Sequence, residues 1–135
     1  MLTHLILYVA DQAASTAFYA HVLEREPSLN VPGMTEFTLG DGCVLGLMPA
    51  AGIRRLLGEA LPDPDAGHGI PRCELYLHVD DPAAWHRRAL AAGARELSPP
   101  ALRNWGDVAA YSIDADGHVL AVACTAERWR EADQR

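Results

Sequence analysis

The chain has 135 residues, half of them hydrophobic, enough to bury one real core and too few for two independent ones. A formal charge of −7 argues against nucleic acid or an anionic membrane as partner, because either requires a basic surface. Three cysteines at unrelated spacings, Cys43, Cys73 and Cys124, suggest buried reduced thiols and neither a disulfide framework nor a zinc cluster.

The N-terminus enters a strand directly, with no charged lead or cleavage pattern, and no apolar run approaches a membrane span, so a cytoplasmic location is expected. In Thr3 to Val9 the residues alternate: Leu5, Leu7 and Val9 form an apolar face, while His4, Ile6 and Tyr8 share the other. Asp11-Gln-Ala-Ala-Ser-Thr opens a helix with Ala14, Phe18, Val22 and Leu23 near one stripe, and Pro27 follows its end. A strand within Leu29 to Met34 is blurred by Pro32 and Gly33. Glu36 to Leu39 and Cys43 to Met48 read as strands joined by a Gly40-Asp41-Gly42 hairpin turn.

Residues 50–72 form a long connector with a helical patch at Ile53 to Gly58 and then several prolines and glycines. Cys73 to Val79 is again strand-like, with Leu75, Leu77 and Val79 on one face and Glu74, Tyr76 and His78 on the other. A helix from about Pro82 to Ala92 is stopped by Gly93. The loop Asn104-Trp-Gly-Asp107 precedes a strand at Val108 to Ile113, and a final hairpin turns at Asp114 to Gly117. Residues 126–135 read as a charged, solvated tail or a frayed helix.

The second passage rewrites the first. At an offset of 70 residues His4 meets Glu74, Leu5 meets Leu75, Leu7 meets Leu77, Val9 meets Val79 and Asp11 meets Asp81; Asp41-Gly-Cys-Val-Leu-Gly-Leu47 meets Asp116-Gly-His-Val-Leu-Ala-Val122 at an offset of 75. Asp11 and Asp81 are acids at helix starts, favourable near the positive end of the helix dipole. Each half would expose an apolar face and an unpaired edge, so the halves must combine. The reading is an α+β fold in one domain, residues 1–125, with module one at about 2–49 and module two at about 73–124.

The opening strand with His4, the Ser15-Thr-Ala-Phe-Tyr-Ala-His-Val-Leu23 helix, the Leu39-Gly-Asp-Gly-Cys-Val-Leu45 hairpin and the closing Asp114-Ala-Asp-Gly-His-Val-Leu120 together resemble the vicinal oxygen chelate superfamily, which includes glyoxalases, bleomycin-resistance proteins and extradiol dioxygenases. The resemblance covers about residues 2–124. It implies two βαβββ modules that form a cupped mixed sheet with helices on the outer faces, a small molecule inside the cup, and a homodimer.

The family's metal enzymes place a ligand on the first and last strand of each module, which corresponds here to His4, Gly46, Glu74 and Ala121. Gly46 has no side chain and Ala121 only a methyl. The resemblance therefore implies no resident metal, or a divalent ion with only His4 and Glu74 as protein ligands. The pair is open to three readings: a hydrogen-bonded contact, two metal ligands, or acid-base catalysts. Ile6, Tyr8, Gly46, Met48, Tyr76, His78, Trp105 and Ala121 are the expected ligand-binding positions, with Gly46 and Ala121 leaving room on the floor. Tyr8 and Tyr76 either bind the ligand or fill the space, and Trp105 and Asp107 serve either ligand contact or packing. Two functions follow: a metal-free binder of a small, largely apolar molecule, or a lyase, isomerase or dioxygenase with an atypical metal site or His4/Glu74 acid-base chemistry.

Overall fold

The computed structural model describes residues 1–133, which belong to two compact units, one spanning Met1–Gly69 and the other beginning at Ile70. The first unit runs β1 (Thr3–Val9), α1 (Gln12–Leu23), β2 (Leu29–Val31), β3 (Met34–Gly40), β4 (Cys43–Pro49) and α2 (Ala50–Leu57), followed by short 3-10 turns at Gly58–Ala60 and Pro64–Gly67. The second runs β5 (Glu74–His78), α3 (Pro82–Ala91), β6 (Arg95–Leu102), β7 (Asp107–Ile113), β8 (Val119–Thr125) and α4 (Ala126–Asp133). Each unit holds one four-stranded sheet, ordered β1-β4-β3-β2 in the first and β5-β8-β7-β6 in the second. In both, the opening strand lies parallel to the last and the other pairings are antiparallel. This is an α+β fold of two repeated βαβββ modules.

The repeat extends to hydrogen bonds. Asp11 caps α1 by accepting from Ala14 N at 3.0 Å, and Asp81 caps α3 by accepting from Ala84 N at 3.1 Å. Each carboxylate satisfies one of the amide groups that a helix start leaves without an internal partner. In the first unit Leu7, Val9, Phe37, Leu45 and Leu47 are buried, and α1 packs on β3 and β4. In the second, α3 packs on β6, β7 and β8.

Several details depart from the sequence reading. The buried stripe of α1 is Ser15, Tyr19, Val22 and Leu23; Ala14 is exposed, and Phe18 is half-buried with its ring edge-on to Tyr19. Two adjacent aromatics allow either stripe, and packing selects Tyr19. Leu5, Leu75 and Leu77 are half-buried because β1 and β5 are edge strands of their sheets. Cys43 and Cys73 are exposed, one following the hairpin turn and one preceding β5; Cys124, inside β8, is the buried thiol, and burial raises its pKa.

The Pro32-Gly33 step that blurs a strand in the sequence is the turn between β2 and β3, whose register pairs Val31 with Met34. The strand β6 was not located from sequence, since it runs through Ser98-Pro99-Pro100; it survives as an edge strand with register shifts around Ser98, where proline is tolerated. The described part of the tail is the helix α4, set against β7 and β8. Ala126 N donates to Gly106 O at 3.0 Å and Arg128 N to Thr125 Oγ1 at 3.1 Å. Among the described residues no helix is long and apolar enough to cross a membrane.

Candidate functional site

In the second unit, strand alternation sets Glu74, Tyr76 and His78 on the face of β5 opposite Leu75 and Leu77. The register places Tyr76 beside Ala121, with Tyr111 on its far side, and His78 beside Ala123, with Ala109 on its far side. Three of those neighbours are alanines, all fully buried, so the larger side chains of this face close over them. Across these small residues the Tyr76 hydroxyl donates to Asp107 Oδ2 at 2.6 Å.

Trp105 completes the arrangement from the turn between β6 and β7. The turn is closed by Arg103 N to Asp107 O at 2.8 Å and Gly106 N to Arg103 O at 3.2 Å, and Gly106 adopts a φ of +96°, which glycine reaches without strain. The Trp105 indole Nε1 donates to the Tyr76 hydroxyl at 3.0 Å, yet the side chain stays 56% exposed. His78 Nε2 is 3.8 Å from the same Asp107 oxygen, and its ring meets Tyr76 edge-on at 5.5 Å. Tyr76 is thus held from both sides, as acceptor from the indole and donor to the carboxylate.

Burial and the hydrogen bond to anionic Asp107 push the Tyr76 hydroxyl above the usual tyrosine range, against the smaller opposing effect of the Trp105 N–H. Tyr111 is also pushed up, first by burial and then by the charge of Glu74, with Arg103 acting the other way. Both phenols are neutral donors at physiological pH. Beyond His78, a shallow open pocket of about 230 Å³ is bordered by Asp80, Cys124, Thr125 and Arg128.

In the first unit His4, Ile6 and Tyr8 are exposed on the corresponding face of β1. His4 Nδ1 is 3.4 Å from Glu36 Oε2. Glu36 has no place in the sequence reading of the site, although its position between buried Thr35 and Phe37 turns it to the face that carries His4. Gly46 pairs with Ile6 on one side and Glu36 on the other, and Met48 pairs with Tyr8. The room expected at Gly46 is already taken: a Cβ there would be 3.0 Å from Ile6 Cγ1 and 3.4 Å from Met34 Sδ.

The sequence-derived positions thus separate by unit: His4, Ile6, Tyr8, Gly46 and Met48 share one sheet face, and Glu74, Tyr76, His78 and Ala121 share the other unit's face, joined there by Trp105 through its indole.

Residues 1–122 match the family described as the glyoxalase/bleomycin resistance protein/dioxygenase superfamily. Among solved structures, a glyoxalase-related enzyme from Fulvimarina pelagi is similar at 23% identity and a TM-score of 0.78, with 93% of this chain and 88% of that one covered. A glyoxalase/bleomycin resistance protein/dioxygenase from Nocardioides is 25% identical with a TM-score of 0.73, over 93% of this chain and 83% of the other. Protein ATC0852 from Agrobacterium tumefaciens is 27% identical with a TM-score of 0.69, over 93% and 98%. No curated protein matches the chain.

Proposed function

Because the chain belongs to the glyoxalase/bleomycin resistance protein/dioxygenase superfamily, we propose that it binds a small, largely apolar molecule with one polar group, and does so without a resident metal ion. The observation that carries this reading is the exposed Trp105 ring, tied by its indole N–H to the Tyr76 hydroxyl, which in turn donates to Asp107. An exposed aromatic ring beside a few oriented polar groups is the combination that small-molecule sites use.

The donor set supports the metal-free form. Gly46 and Ala121 supply no ligand atom at two of the four positions that the resemblance assigns to metal, and among the described residues no three His, Cys, Asp or Glu side chains come together as a metal site. A second copy of this chain is part of the proposal, since the edge strands and the exposed Leu56 and Leu57 of α2 present surface that a closed two-fold pairing can cover.

A thermal-shift screen of apolar small molecules, with elemental analysis of protein purified without added metal, tests both halves of the reading. Hits should stabilise the wild type and lose at least about tenfold in affinity on Trp105→Ala, the loss expected when an aromatic anchor is truncated. Equal binding to wild type and Trp105→Ala would sink the assignment to this face. One tightly held ion per chain would sink the metal-free form.

A further inference from the structure

We propose that the polar group of the ligand is a carboxylate and that Arg103 receives it. This rests on the binding reading above and adds the charge of the ligand to it. Arg103 begins the same turn that presents Trp105, and its guanidinium carbon stands 5.1 Å from the ring centroid of Tyr111. Tyr111 alternates with Asp107 and Ala109 along β7 and pairs with Ala121, so the guanidinium lies on the face that carries Tyr76.

The donors of Arg103 are unevenly used. Nη2 is fully engaged, donating to Ser98 Oγ at 2.6 Å, Ala109 O at 2.8 Å and, longer, Pro99 O at 3.4 Å. Nε is buried with no acceptor, and Nη1 has no acceptor among the described residues. No described carboxylate lies within ion-pair distance of the group.

A half-buried guanidinium ordinarily has an anionic partner, because removing the charge from water is costly without one. Here the protein supplies only neutral oxygens and a phenol ring. The two acids on this face do not fill the gap: Asp107 is engaged by Tyr76 and faces His78, and the charge of Glu74 is felt at Tyr111. Their presence favours a singly charged anion over a dianion, since each added negative charge is repelled by both. The unengaged Nη1 can donate to one oxygen of a carboxylate, and an apolar body attached to that carboxylate would rest against the exposed ring of Trp105.

The test uses three matched probes, 1-naphthoate, 1-naphthamide and 1-naphthylmethylamine, titrated by calorimetry against wild type, Arg103→Gln and Arg103→Lys. Wild type should bind the naphthoate about tenfold or more tightly than the amide, the amine being weakest, as a charge-assisted hydrogen bond requires. Arg103→Gln should erase that preference, costing the naphthoate about tenfold more than the amide, while Arg103→Lys keeps part of it. If Arg103→Gln weakens all three probes equally, Arg103 only braces the turn and the proposal falls. If wild type prefers the amide or the amine, the carboxylate assignment falls while the binding reading stands. If no probe binds wild type, both fall.

Discussion

Tyr76 makes the site sensitive to alkali, and the direction of its shift fixes the sign. Its pKa in the folded protein is raised by burial and by Asp107, so the neutral phenol is favoured on folding. That contribution is fully present below the ordinary tyrosine range and is lost as pH climbs through the higher folded value. Urea denaturation of wild type and Tyr76→Phe across the alkaline range should therefore show the wild type losing stability more steeply than the variant above about pH 10. Parallel pH profiles would show that neither burial nor Asp107 raises this hydroxyl on folding. At Gly46 the crowding by Ile6 and Met34 predicts a graded response. Gly46→Ala needs only a small shift of the exposed Ile6 side chain, whereas Gly46→Leu should cost about 1–3 kcal/mol by overpacking, read from the same denaturation curves. The face of each strand residue was legible in the sequence because alternation decides it: His4 and Glu74 do lie opposite Leu5 and Leu75. The bonds across that face were not. Tyr76 and Asp107 are 31 residues apart, and their contact depends on three intervening alanines whose register only the folded sheet sets.

Among the elements, α1 and α3 start alike, and their caps can be tested in parallel. Asp11→Ala and Asp81→Ala each remove a side-chain acceptor from a helix start, so each should destabilise by about 1 kcal/mol, while Asn at either position should retain most of the stability. A change below a few tenths in both would mean that water replaces the carboxylates without loss. These starts were readable from sequence because an acid precedes a helical run at the same place in both repeats. The strand β6 was not readable. Ser98, Pro99 and Pro100 carry the marks of a loop, and only a position at the sheet edge, where an amide hydrogen bond is dispensable on one side, makes them a strand. The packing face of α1 was ambiguous for a different reason: Phe18 and Tyr19 are neighbours, and helical period alone does not choose between them.

For the whole molecule, the −7 charge and the unpaired sheet edges point in different directions: self-repulsion keeps copies apart, while open edges and exposed Leu56 and Leu57 favour closed pairing. We expect pairing to prevail, with light scattering at micromolar concentration giving twice the mass of the chain at moderate salt; a single-chain mass there would contradict it. The duplicated architecture was legible because the two halves repeat their order of elements, and repetition is visible without any knowledge of packing. Among the described residues no strand pairing crosses from one unit to the other, and this bears on how the chain is born. The first sheet has all its strands once Pro49 has been made, whereas β8 begins at Val119. At about 5–20 residues per second, synthesis of the intervening stretch takes roughly 4–14 s, far longer than strands need to pair. On the ribosome the first sheet can therefore close while the second is still unwritten, so the half that carries His4 and Gly46 can be in place before Tyr76 has its partner strands.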